Sequence, residues 1–154
     1  MPKISAGLLM FRRCAGTIQV LLVHPGGPFF RNKDEGSWSI PKGEPQAGEE
    51  LLAAGIREFQ EETSFVPKGP YMELSPVKQK GGKVVHAWAF ENDCDLAEFK
   101  SNTFEVEWPP RSGRMAAFPE ADTADFFDLE TASKKINAAQ AGLLNELERR
   151  MSAG

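Results

Sequence analysis

Apolar residues fall into two dense runs near the start of the chain, Ile4–Phe11 and Ile18–His24, separated by the polar stretch Arg12, Arg13, Ala15, Gly16 and Thr17. Short runs rich in Leu, Val and Ile predict an antiparallel strand pair. Residues 25–37 break the pattern. Pro25, Gly26, Gly27 and Pro28 precede Arg31, Asn32, Lys33, Asp34, Glu35 and Gly36, so a surface loop is expected. Trp38–Ile40 reads as a short strand, and Pro41, Lys42 and Gly43 as a turn. Between Glu49 and Thr63 the period changes: no proline intervenes, and Leu52, Ile56, Phe59 and Thr63 recur at helical spacing. A helix with one apolar face is predicted there.

Farther on, Tyr71–Val77, Val84–Glu91 and Phe104–Trp108 read as strands, the first two joined as a hairpin across Lys80, Gly81, Gly82 and Lys83. Pro109, Pro110 and Gly113 mark another exposed loop. Ala124–Phe127 reads as a strand leading into a helix from about Glu130, and Ala138–Met151 sets Leu143, Leu144 and Leu147 against Glu146, Glu148, Arg149 and Arg150 as an amphipathic closing helix. With no repeat or linker, the 154 residues predict one α/β domain, 1–154, with a mixed β-sheet between helical layers.

The formal charge of −4 argues against a chain that coats nucleic acid, so no stable nucleic-acid complex is expected. A small anionic ligand stays open if a cation supplies the positive charge. No stretch approaches the ~20 apolar residues of a spanning helix, which predicts a cytoplasmic protein. Cys14 and Cys94 read as free thiols, and His24 and His86 as structural strand residues too few for a Ser-His-Asp arrangement. Gly26-Gly27 lacks the Gly-Lys-Ser/Thr spacing of a phosphate-cradling P-loop.

The predicted helix at 49–63 carries a conflict. On a helical wheel Glu58, Glu61 and Glu62 share one arc of about 100°, away from the apolar stripe. Like charges at this spacing repel, and acids in a last helical turn oppose the helix dipole. A hard divalent cation reverses those signs, because carboxylate oxygens are the ligands that Mg²⁺ or Mn²⁺ prefer. A solvated acidic face is the plain alternative, but a glycine turn at Gly43 opens the segment, and six acids between Glu44 and Glu62 face Arg57 alone.

Read from Gly43, these residues resemble the Nudix box, G-x5-E-x7-R-E-U-x-E-E-x-G-U with U bulky and apolar: Gly43, Glu49, Arg57, Glu58, Phe59, Glu61, Glu62 and Phe65. Only the second glycine differs, since position 64 is Ser. The resemblance implies a Nudix-type α/β/α sandwich and a pyrophosphohydrolase acting on a small nucleotide-like polyphosphate. It further implies that Glu58, Glu61 and Glu62 bind the metal with the Gly43 carbonyl, that Glu58 is or assists the general base, and that Arg57 and Glu49 pair to hold the loop against the helix. The approach Trp38–Gly43 looks like branches that act on nucleoside triphosphates or dinucleoside polyphosphates. ADP-sugars, dinucleotide cofactors and capped RNA ends stay open, as does oligomeric state.

Candidates for the phosphates are Lys42, Arg31, Lys33, Lys78, Lys80 and Lys83, and Glu105 on the polar side of its strand is a candidate further metal ligand. Two other readings compete: a nucleotide-binding module without turnover, and an acidic-faced scaffold that takes no metal. Ser64 is expected to sit in a left-handed conformation that glycine would relieve.

Overall fold

The fold is organised around Ile4–Cys14 (β1), whose side chains alternate between two cores. Leu8 and Met10 enter one and Leu9 and Phe11 the other, all of them buried. A strand covered on both faces has apolar residues at odd and even positions alike, which is why this run reads as continuously hydrophobic. The computed structural model describes residues 3–153. β1 turns at Ala15 and Gly16, both at positive φ, into the antiparallel Thr17–Pro25 (β2). Arg12 belongs to the strand, not to the connection, because its guanidinium lies 3.7 Å over the Phe126 ring and donates to Gln19 and Asp93.

The other neighbour of β1 is Val84–Glu91 (β6), which runs parallel to it, and Ala121–Asp128 (β9) extends the sheet beyond β2 in the antiparallel sense. Met72–Glu73 (β4) and Val77–Lys78 (β5) both pair with β6. A parallel pair needs a crossover, and the helix Leu51–Thr63 (α1) lies within it, burying Ala54, Gly55, Phe59 and Thr63 against the first core. Leu129–Lys135 (α2) and Ala141–Ala153 (α3) cover the opposite face with Ala132, Leu143, Leu144 and Leu147. The expected mixed sheet between helical layers is therefore present. Among the described residues no helix is long and apolar enough to cross a membrane.

Three local expectations are corrected. Trp38–Ile40 forms only two isolated bridges, Val23 to Ser39 and Trp38 to Ile136. Lys42–Gly43 (β3) is not a turn but a short strand on β1, and Gly7 makes it possible: a Cβ there would lie 2.5 Å from the Pro41 carbonyl oxygen. Tyr71–Val77 splits into β4 and β5 around Ser75 and Pro76, the latter lacking an N–H for the ladder. Phe104–Trp108 is a strand as expected, in a second sheet: Thr103–Glu107 (β7) pairs with Met115–Pro119 (β8), a strand whose Ala-rich sequence carries no clear alternation.

Candidate active site

Helix α1 begins weakly. Its N-cap, Glu50, makes no side-chain cap bond, and there is no acid in the first turn and no base in the last. The C-terminal end is held from outside. Ser64, at φ 69°, donates its N–H to the Gln60 carbonyl at 2.8 Å and its Oγ–H to the Lys100 carbonyl at 2.7 Å. Lys100 N–H donates to the Thr63 carbonyl and Asn102 N–H to that of Glu61, so the free carbonyls of the last turn find partners in the segment 100–102. The left-handed exit expected at Ser64 is there.

Arg57 organises the acids near it. Its Nε and Nη2 donate to the two oxygens of Glu49, each at 2.9 Å, a two-point fork that suits a planar guanidinium. Glu49 is fixed further by the Gln46 N–H, and these bonds, Arg57 first, hold its carboxyl down at about 2. Nη2 also reaches the Glu44 carbonyl, tying the loop before α1 to the helix. The remaining Nη1 donates to Glu58 at 2.8 Å and to Glu61 at 3.1 Å.

One guanidinium thus serves three carboxylates, and it leaves Glu62 out. Among the described residues Glu62 accepts only the backbone N–H of Lys42, at 2.9 Å. Burial, then the charges of Glu120 and Glu58, push its carboxyl up to about 8. Glu58 is also raised, chiefly by burial and against the pull of Arg57. Its carboxylate presses on Gly43 so closely that a Cβ at that position would fall inside it. The box glycine is therefore required by a side chain of the same box, across the junction of β3 and α1.

Glu120 was not foreseen. It sits between β8 and β9, with its N–H on the Asn102 carbonyl at 2.7 Å and its carbonyl accepting from Gly26 N–H at 2.9 Å. Its carboxyl is raised by reduced access to water and then by Glu58 and Glu61, so it belongs to the same electrostatic group. Glu105, the acid selected from its strand pattern, lies exposed on β7 opposite Ala117 in the separate hairpin. Nothing local in the sequence distinguishes Glu120; the segment that caps α1 carries it to the site.

A cavity of about 530 Å³ opens beside these acids, with Glu62 and Glu120 in its wall together with Lys42, Phe30 and Lys33. Of the proposed phosphate contacts, Lys42 is in that wall, and Lys83 lies near enough for its charge to depress the Lys42 ammonium further after burial has lowered it. Arg31, Lys78 and Lys80 are exposed and lie off the wall, whereas Lys33 is on it. As they stand, no three His, Cys, Asp or Glu side chains among the described residues converge tightly enough to ligate one ion. The reason is visible: Arg57 draws Glu58 and Glu61 toward itself while Glu62 turns to Lys42. The donor chemistry nonetheless suits a hard cation, being all oxygen and short of positive charge.

The chain matches a family model described as NUDIX domain over residues 1–147. No curated protein sequence matches it significantly. Among solved structures it is similar to a C. elegans Ap4A hydrolase in a binary complex, over 99% of each chain, at 23% identity and a TM-score of 0.69. A second C. elegans Ap4A hydrolase structure aligns over 99% of this chain and 98% of its own, at 25% identity and a TM-score of 0.58. The NUDIX domain of Shewanella oneidensis NrtR, complexed with ADP ribose, aligns over 98% and 89% at 15% identity and a TM-score of 0.66.

Proposed function

Because the chain belongs to the NUDIX domain family, we propose that it hydrolyses a phosphoanhydride bond in a nucleoside triphosphate or dinucleoside polyphosphate, with Mg²⁺ or Mn²⁺ as cofactor. One observation carries the reading: beside an open cavity, burial first and neighbouring carboxylates second raise Glu58, Glu62 and Glu120, with Glu58 acting on both of the others, while a side-chain-free Gly43 makes room for Glu58. Carboxylates crowded together and partly withdrawn from water are unfavourable unless a cation joins them, and such perturbed groups in a cleft mark a functional site. The similarity to Ap4A hydrolase supports the substrate class.

Glu58, Glu61, Glu62 and Glu120, with the Gly43 carbonyl, would hold the ion. When bound, a divalent cation neutralises polyphosphate oxygens and acidifies a water. The chain's own residues do the rest. Glu58, seated on Gly43 and oriented by Arg57, is the group to accept a proton from the attacking water, and its raised pKa brings it nearer the working pH of a general base. Arg57 and Glu49 fix the loop on the helix, so that Gly43 and Glu58 keep their contact. Lys42 and Lys33 offer charge to the phosphates from the cavity wall. Residues 1–154 act as one domain in this reading.

The test is product identification after incubation with ATP, diadenosine tetraphosphate and ADP-ribose. Cation-dependent cleavage that EDTA stops, and that Glu58→Gln lowers by orders of magnitude, is expected. Nucleotide binding with no turnover would instead make the chain a binding module.

A further inference from the structure

Two lysines stand in the cavity wall, and they are placed by different means. Lys42 belongs to the sheet: it pairs with Gly7 of β1, and its N–H is on Glu62. Lys33 lies in the exposed loop before Trp38, yet both of its backbone groups are tied. Its N–H donates to the Phe30 carbonyl at 3.0 Å, and its carbonyl lies 2.6 Å from Nε2 of His24. His24 is 7% exposed, packs edge-to-face with the buried Trp38 ring at 5.3 Å, and has its Nδ1 2.9 Å from Oδ1 of Asp122. A carboxylate and a carbonyl both accept, so the ring bonds to both only with a hydrogen on each nitrogen.

The connection runs from the sheet to the loop. Asp122 on β9 anchors His24 on β2, and His24 anchors the loop at a residue whose side chain stands on the cavity wall. The ammonium of Lys33 keeps its charge for a ligand: the neighbouring Asp34 is taken by the Trp38 indole N–H and by Lys135, and Lys33 forms no ion pair among the described residues. Its Nζ lies instead 5.4 Å from the centre of the Phe30 ring. A long side chain on a loose loop loses more freedom on meeting a phosphate than one whose backbone is already fixed. We infer that His24 is a positioning residue: tied to Asp122, it holds the Lys33 carbonyl and so keeps Lys33 in place to bind the substrate's polyphosphate. This inference rests on the reading of the cavity as the substrate site.

The experiment is a double-mutant cycle of His24→Phe with Lys33→Met, repeated with Lys42→Met in place of Lys33→Met. Phenylalanine keeps a ring beside Trp38 and removes both hydrogen bonds. Each protein is measured with Mg²⁺ for its Kd toward a non-hydrolysable ATP analogue and for its steady-state kinetics on diadenosine tetraphosphate. His24→Phe and Lys33→Met are each expected to raise Kd and KM about tenfold, with kcat within about threefold. Where Lys33 is already replaced, His24→Phe should add less than about twofold; where Lys42 is replaced, it should keep its full penalty. An equal penalty on both backgrounds, which a merely structural histidine would give, overturns the inference, as does no penalty at all. Should His24→Phe fail to fold, His24→Asn takes its place in the same cycle, its shorter amide reaching Asp122 but not the Lys33 carbonyl. Coupled affinities without turnover spare His24 and sink the hydrolase. Turnover with uncoupled affinities does the reverse, and no binding of either nucleotide sinks both.

Discussion

The helices α1 and α3 are each 13 residues long, lie on opposite faces of the same sheet and bury comparable apolar stripes, yet a glutamate withdrawn from water behaves in opposite ways on them. Burial pushes Glu146 of α3 upward, but it accepts the Ser75 N–H at 2.7 Å and an Arg150 N–H at 2.9 Å, and the net shift is downward. Glu62 of α1 has one backbone N–H and two acidic neighbours, and it rises to about 8. Withdrawal of a carboxylate from water is thus no mark of function. The mark is a withdrawn carboxylate whose countercharge the protein does not provide.

The widest separation between the two helices should appear in turnover. Glu58→Gln is expected to lower kcat about 10²- to 10⁴-fold with little change in melting temperature, whereas Glu146→Gln leaves kcat within about twofold. If both variants lose activity alike, α1 has no special role. Gly43→Ala comes next. The new Cβ displaces the Glu58 carboxylate, and a shift of that kind costs on the order of a hundredfold in kcat with the fold retained.

In the cores the helices should look alike. Phe59→Ala and Leu147→Ala, both at fully buried positions, are each expected to cost roughly 2–5 kcal/mol by denaturant unfolding. A much smaller loss at Phe59 would mean that α1 is not seated as described. A subtler contrast lies in acid stability. Glu49 drops from 4.5 to about 2 on folding, so its contribution is complete above about 4.5 and is lost as the pH falls toward 2. The difference in melting temperature between wild type and Glu49→Gln should therefore shrink over that window; a constant difference would deny the Arg57 pairing its part in stability. Ser64→Gly should change least, because relief of the left-handed backbone, about 1 kcal/mol, is offset by loss of the hydrogen bond to the Lys100 carbonyl.

What could be read from the sequence divides along the same lines. α1, its acids and the Gly43–Arg57–Glu49 connection lie within one short segment, where spacing alone determines which side chains meet. β1 and β2 were legible because their apolar runs are long and their turn is local. Glu120 was not, since it reaches the site only through Asn102, whose N–H caps α1 and whose carbonyl takes the Glu120 N–H. Glu105 shows the converse: its alternation on β7 was legible, whereas the placement of that strand in a hairpin apart from the main sheet was not. The cavity wall was hidden for the same reason, because Phe30, Gln79 and Gln140 come from three distant parts of the chain.

Manganese uptake, followed by electron paramagnetic resonance in the presence of a non-hydrolysable nucleotide, tests the central claim most directly. Wild type and Glu146→Gln should bind the ion alike, and Glu58→Gln and Glu62→Gln at least tenfold more weakly. Equal uptake by all four proteins, or none by wild type, would contradict the claim that the acids of α1 are held in repulsion for a cation to resolve.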